Sequence, residues 1–479
     1  MEMKNLAPEA VWSLFDEITK VPRPSKQEGQ IRAWLLDFAA RHGLEACTDE
    51  AGNVLMRKPA TPGREGRPCV VLQGHMDMVC EKNAGVEHDF AHDPIRTVID
   101  GDWVRADGTT LGADNGMGLA LGLAALTDDS FEHGPLEALF TFDEETAMGG
   151  ANALKAGFMT GQILINLDSE TDGQIFIGCA GGQDTCATFR YAAVPAPEAL
   201  YYVRVRVGGL QGGHSGGDIH LGRANANKLL VRFLMSQPDV ALASIQGGNL
   251  RNAIPREAEA VIGVPAARKH DVVAEFNRYV ATVEAEYGDI EPDMRLTIET
   301  AETPRTIIEQ GVADSLLAAL QACPHGVVGM SRAIEGLVQT STNLASIKNP
   351  EPGVIRVETS QRSSAESQKE DIALTVETVF RMAGAEVTHG HSYPGWNPNP
   401  QSPILKIAAQ AYRDLFAQEP EVLAIHAGLE CGLFLTKYPH MDMISFGPTM
   451  EGVHSPGERL YIPSVARQWE YLKEVLRRC

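Results

Sequence analysis

The sequence predicts an α/β protein, a mainly parallel sheet sandwiched by helices and interrupted by an inserted α+β region, and three observations carry that expectation. Apolar runs at 70–73, 136–142 and 163–167 have the length and composition of buried strands. They alternate with helix-like segments, among them the Gly/Ala/Leu-rich stretch 115–126, and such alternation argues for parallel strands covered by helices. Near residue 187 the texture changes to strict alternation, as at 201–207 (Tyr-Tyr-Val-Arg-Val-Arg-Val), the mark of a strand with one face in water.

Taken in order, residues 7–19 and 26–42 read as amphipathic helices split by the breaker Val21-Pro22-Arg23-Pro24-Ser25. Beyond 187 come a helix at 223–236, strands at 257–264 and 295–299, a helix at 314–322, strands at 326–329 and 354–358, and a helix at 367–382. This reads as two successive α+β units of similar size, without a residue-level repeat that proves duplication. The Pro-rich stretch 393–403 reads as a linker, followed by a helix at 403–418, a strand at 441–446 and a helix at 465–476. The expected division is therefore one domain at 1–186 and 400–479, with 187–399 inserted into it.

Of 479 residues, 41 are Lys or Arg and 63 are Asp or Glu, a net charge of −22, with 44% hydrophobic residues. That is the composition of a folded chain, and its acidity argues against nucleic acid as a partner, because a polyanion needs clustered cations. The 8 cysteines include no pair at CxxC spacing, which fits reduced thiols in a cytoplasmic protein. The N-terminus has no apolar leader, and no run approaches the ~18 apolar residues that span a bilayer, so no membrane partner is expected. A small or metal-held ligand remains.

Five segments stand at the ends of expected strands or loops: Gly74-His75-Met76-Asp77, Gly112-Ala113-Asp114-Asn115, Asp143-Glu144-Glu145, Asn166-Leu167-Asp168 and Gly452-Val453-His454-Ser455. Singly, each has a bland reading: a satisfied polar histidine, an N-capping aspartate or a solvated acidic loop. Together they bring two imidazoles and several carboxylates to the carboxyl edge of one sheet, a metal site in outline. His75 and Asp77 project to the same face if the strand persists, so Asp77 could orient the imidazole. Glu144 and Glu145 repel each other at neutral pH unless a dication is near; two such neighbours can divide into a ligand and a free base.

These segments, GHMDMV, LGADNGMG, DEETAMGG, NLDSE and GVHSPGE, resemble those of the di-zinc metallopeptidases, a family of aminoacylases, carboxypeptidases and dipeptidases. The resemblance runs over essentially the whole chain, and GGLQGGHSGGDIH, YPGWNPNPQSP and the long insertion are similar to its bacterial dipeptidase branch acting on aminoacyl-histidine (carnosine-like) peptides. It implies two Zn2+ per chain, replaceable by Mn2+ or Co2+. His75 and Asp168 would bind one, Glu145 and His454 the other, and Asp114 would bridge both, with a cis bond to Asn115. Glu144 would be the general base toward a hydroxide held between the metals, and Asp77 would support His75. In the inserted region, implied to be a lid, His214 would polarise the scissile carbonyl, while Asn252 and Arg362 would hold the substrate carboxylate. His220, His389, His391 and His426 read as structural.

The implied activity is metal-dependent hydrolysis of dipeptides. Its rivals are an N-acyl amino acid deacylase or short-peptide aminopeptidase of the same family, or a non-catalytic peptide- or metal-binding protein. A double-length lid could pair with a second subunit as a homodimer or mimic that pairing within one chain.

Overall fold

A computed structural model describes residues 2–479; Met1 and the side chain of His391 lie outside the described residues. The chain divides into two compact units, the first comprising Met1–Cys179, Trp396–Ala424 and Leu429–Cys479, the second Ala180–Gly395 and Ile425–Gly428. The second unit begins before the expected residue 187 because a single strand, Gly181–Arg190, runs through that position. It ends before 399, and the chain returns to it once more at 425–428.

In the first unit the apolar runs form the middle of an eight-stranded sheet. Its order is Glu45–Thr48, Val54–Lys58, Leu136–Thr141, Val70–His75, Ile163–Asn166, Asp442–Ser445, Gln174–Cys179 and Glu421–Ile425. The four central strands, from Leu136–Thr141 to Asp442–Ser445, are mutually parallel, and antiparallel strands complete the edges. Every residue of Val70–His75 and Leu136–Thr141 is buried, which requires cover on both faces. The helix Ala113–Thr127 packs on Val70–His75 with Glu9–Ile18 against it, and Pro403–Phe416 packs with Ile462–Arg478 beside Asp442–Ser445. A separate antiparallel sheet, Met450–Glu451, Arg459–Tyr461, Trp103–Ala106 and Thr97–Asp100, anchors the loop that carries His454.

The stretch 393–403 is not a free linker. Trp396 is buried and exchanges two 2.9 Å backbone hydrogen bonds with Cys179, and Ser402 caps the helix Pro403–Phe416. Its prolines bar a helix or an inner strand, but a large apolar ring fixes the loop wherever it finds a core.

The second unit contains the same motif twice. In one half, Leu200–Gly208, helix Ala226–Met235, Ala241–Gly247, Ala258–Pro265, helix Lys269–Tyr287 and Arg295–Thr300 form a β-α-β-β-α-β unit. In the other, Gly181–Arg190, helix Gln310–Ala322, Val338–Glu351, Val354–Ser363, helix Glu366–Met382 and Glu386–Tyr393 do the same. Numbered within each half, both sheets run 2-3-1-4 with antiparallel neighbours throughout. The two second strands meet antiparallel at Gly247 and Ile347, joining the halves edge to edge as an isologous contact would. The alternation at 201–207 behaves as expected: Val203, Val205 and Val207 enter a core with Leu229, Leu230 and Phe233. Two successive units were expected; instead one half is nested inside the other, after its first strand.

Candidate active site

His75 closes its strand, Asp143 follows the neighbouring strand by two residues, and Asp168 follows the strand on the other side, so three loops open at one carboxyl edge. His75 is buried, with Nε2 3.0 Å from Asp114 Oδ1 and 3.4 Å from Asp168 Oδ1. His454 Nε2 stands 3.0 Å from Asp114 Oδ2 and 3.0 Å from Glu145 Oε2. Asp114 therefore faces both imidazoles, one with each oxygen. The Asp114–Asn115 peptide bond is cis.

Two further groups shape the Asp114 loop. Glu458 accepts from the N–H groups of Leu111 (2.7 Å), Gly112 (3.0 Å), Ala113 (2.7 Å) and Asp114 (3.4 Å). Arg23 donates to the carbonyls of Met76 (3.1 Å), Asp77 (2.8 Å) and Gly112. Both charges are buried, and Gly112 is gripped by one through its N–H and by the other through its C=O. Its φ of +71° favours glycine, and a Cβ there would lie 2.6 Å from Arg23 Nη2.

Asp77 serves two elements. Oδ1 faces His75 Nδ1 at 3.2 Å and accepts from the Glu144 N–H (3.0 Å); Oδ2 accepts from the Glu145 N–H (3.2 Å) and the Ser25 hydroxyl (2.8 Å). These bonds outweigh burial and hold the Asp77 carboxyl down at about 2. The turn it caps is strained: Asp143 has φ +53°. The Glu144 side chain accepts no hydrogen bond from any described residue. Burial, reinforced by Asp168, Glu430 and Glu145, raises its carboxyl well above the usual range.

Burial also raises Asp168, to about 7, with Asp114 and Glu145 adding to it. His454 is pushed up to about 11 by its hydrogen bonds to Asp114 and Glu145. For His75 the neighbouring carboxylates Asp168, Asp114 and Asp77 overcome the opposing effect of burial, and its pKa rises well above that of free imidazole. Without a cation the cluster thus holds protons in the cation's stead. Among the described residues Glu145 Oε1 and Asp168 Oδ1 are buried without a hydrogen-bond partner, and side-chain N and O atoms of His75, Asp114 and Glu145 lie within 4.8 Å of one another. Imidazole and carboxylate donors with orphaned oxygens fit divalent zinc, manganese or cobalt.

A buried polar network underlies the sheet edge. Asn166 donates to Gln73 (2.6 Å), and Glu430 accepts from Gln73 (2.6 Å) and Thr141 (2.7 Å). Burial, opposed by His75 and these donors, leaves Glu430 at about 8.

The second unit gathers His214, Asn252 and Arg362 around Ser215. The Ser215 N–H donates to the Asn252 carbonyl (2.8 Å), and Arg362 donates to Ser215 Oγ (3.4 Å) and Tyr393 Oη (2.8 Å). Arg362 is buried, and no carboxylate pairs with it among the described residues. The Gly216 (3.3 Å) and Gly217 (3.0 Å) N–H groups donate to His214 Nδ1, which assigns the proton to Nε2. Burial, aided by Arg362, lowers His214 to about 4, so the ring is neutral at physiological pH.

Of the histidines read as structural, His389 bridges Thr185 (3.0 Å) and Glu377 (2.8 Å), and His220 is exposed. His391 has no described side chain. His426 joins the cluster: its Nε2 lies 2.7 Å from Ser341 Oγ, and its carbonyl closes on Gly216, where a Cβ would meet it at 2.1 Å. Arg23, Glu28, Glu430 and Glu458 escaped sequence reading because an isolated charge reads as surface. Arg23 alone had a signal, lying between two prolines.

The model of Peptidase family M20/M25/M40 matches residues 71–478. The cytosol non-specific dipeptidase of Escherichia coli is 42% identical over 480 residues, 99% of each chain. The crystal structure of an aminoacylhistidine dipeptidase from Vibrio alginolyticus superposes with a TM-score of 0.93 at 42% identity, covering 100% of this chain and 98% of that one. A tripeptidase from Staphylococcus aureus shares the fold at 16% identity and a TM-score of 0.58, covering 99% of each chain. On the family match and the full-length identity, this chain belongs to peptidase family M20/M25/M40.

Proposed function

We propose that the chain is a cytoplasmic dipeptidase using two divalent metal ions, zinc by preference, and that its substrates include dipeptides ending in histidine. The observation that carries this reading is the convergence of His75, Asp114, Glu145, Asp168 and His454, with two buried carboxylate oxygens that accept no hydrogen bond from the described residues, beside the unbonded Glu144. Full-length likeness to an E. coli dipeptidase and a Vibrio aminoacylhistidine dipeptidase supports the substrate class.

In this reading His75 and Asp168 would hold one ion, Glu145 and His454 the other, with Asp114 serving both. Bound there, the ions would acidify the attacking water and polarise the scissile carbonyl. Glu144 would accept a proton from the attacking water and pass it to the leaving amine, a task suited to a carboxyl whose affinity for protons is raised by burial. Asp77 keeps the His75 ring in register and fixes the turn that carries Glu144. To the second unit we assign the role of lid. There His214 donates from Nε2 to the carbonyl oxygen as it gains charge, and Arg362, with Asn252, receives the terminal carboxylate.

A panel of dipeptides, tripeptides and N-acetyl amino acids, assayed with and without added zinc, tests this. Zinc-dependent cleavage confined to dipeptides is expected; preference for N-acetyl amino acids or longer peptides would replace it with deacylase or aminopeptidase activity.

A further inference from the structure

Behind the Asp77 turn lies a second group of acids. Glu28, Asp77 and Asp143 are 1%, 0% and 5% exposed, and carboxylate oxygens from the three lie within 4.8 Å of one another. Asp77 spends both oxygens on the hydrogen bonds described above, and Asp143 accepts from the Thr146 hydroxyl. Glu28 Oε1 accepts from two backbone N–H groups, those of Lys26 (2.9 Å) and Asp143 (3.0 Å). Both donors are non-glycine residues in the left-handed region, with φ of +67° and +53°. Such conformations cost about 1–3 kcal/mol each and persist only where their surroundings hold them. Glu28 Oε2, by contrast, is buried with no hydrogen-bond partner among the described residues.

We propose that Glu28 is a positioning residue for the general base: its protonated carboxyl clamps the Lys26 and Asp143 turns through Oε1 and keeps the buried Oε2 uncharged beside the neighbouring carboxylates. This rests on the reading of Glu144 as base, since Asp143 is the residue that sets the course of the Glu144–Ala147 turn. Three ionised carboxylates packed this closely would repel strongly, and a proton on one of them removes its share of that repulsion. The N-terminal position on the helix Gly29–Arg41 and the two N–H donors favour an ionised Glu28. Burial, with the Asp77 charge facing it, prevails and raises its carboxyl to about 7. The charged or titratable groups that face Glu28 are Asp77 from the loop after Val70–His75 and Asp143 from the loop after Leu136–Thr141. Its own segment contributes the Lys26 N–H.

The test compares zinc-loaded parent, Glu28→Gln and Glu28→Ala chains for kcat, KM, zinc content and unfolding midpoint against pH. Glutamine copies a protonated carboxyl, so E28Q is expected to keep kcat close to the parent's, whereas E28A loses about 10–100-fold in kcat with little change in KM or zinc content. A folded pKa above the unfolded one means that the parent loses stability between pH about 4.5 and about 7 on this account, which E28Q escapes. Its unfolding midpoint should therefore rise relative to the parent's across that interval. An E28Q as impaired as E28A overturns the proposal, as does a third bound zinc in the parent that E28Q lacks, because either requires an ionised carboxylate. So does an E28A with the parent's kcat. Should E28A fail to fold, the E28Q comparison decides alone. A parent inactive on every dipeptide would sink the functional reading, while the pH-dependent stability gap would still report the proton on Glu28.

Discussion

Glu458 and Asp114 are 344 residues apart in sequence, yet the Glu458 carboxylate accepts the N–H of Asp114 and of the three residues leading into it. Glu458 ends the loop that carries His454, so one buried group registers two of the proposed ligands against each other. Arg23 completes the arrangement from the other side of Gly112. Glu458→Ala would leave four backbone donors unpaired and take away one of the acidic charges, with Asp77 and Asp114, that face the buried Arg23. Leaving a buried donor unsatisfied costs about 1–3 kcal/mol. Thermal unfolding should fall accordingly and zinc retention with it; an unchanged midpoint would refute the clamp.

Asp77 offers a finer dissection, because it supports the His75 imidazole and the turn of the proposed base Glu144 at once. In Asp77→Asn one oxygen becomes an NH2 group, which would face an N–H that needs an acceptor. Removing a group that orients a metal-binding histidine costs about 10–100-fold in affinity or activity. The same carboxyl gives a pH signature. Its pKa, lowered from 3.8 to about 2, corresponds to roughly 2 kcal/mol of stability, present above pH about 4 and lost as pH falls through about 2. The stability gap between the metal-free parent and D77N should close over that interval in acid titrations followed by circular dichroism.

His214 is held neutral with its donor at Nε2, so in the proposed mechanism its contribution belongs to the transition state, where the carbonyl oxygen gains charge. Replacing it with alanine should lower kcat by about 10²–10³ while KM moves little. Stability should also respond to acid in one direction. With the folded pKa near 4 and the unfolded near 6.5, the unfolded chain takes up the proton first, and His214 weakens the fold as pH drops from about 6.5 to about 4. Steady-state kinetics on a dipeptide separates the two constants; an H214A that raises only KM would make His214 a binding group.

What could be read from sequence follows from where the information sits. The runs before His75, Glu144 and Asp168 are continuous and apolar because parallel strands are buried on both faces, so the loops after them could be located. The repeated half-sheets could not, because the first strand of the second half, Gly181–Arg190, precedes the whole of the first half. Partners such as Glu28 and Glu458 acquire meaning only when distant N–H groups converge on them. His426 shows the opposite limit: a histidine read as structural becomes part of a cluster because 425–428 belongs to the second unit.

The protonation of the ligand cluster leads to a last prediction. His75 and His454 both have pKa values raised by the carboxylates around them, that of His454 to about 11, so in the metal-free protein both imidazoles are cationic at pH 7. A metal ligand must be neutral imidazole, and zinc can enter only as those protons leave. Zinc uptake at pH 7 should release about two protons from the imidazoles, with a further share from Asp168, raised to about 7, and from Glu144 as the cation's field lowers their pKa values. Calorimetric titration of the chelator-stripped protein in buffers of different ionisation enthalpy measures this number directly. Glu144→Gln should lower it by no more than the share of Glu144 itself, while zinc still binds and hydrolysis is lost. Zinc binding without proton release would mean that the imidazoles were neutral before it, and the ion pairs at His75 and His454 would then owe nothing to charge.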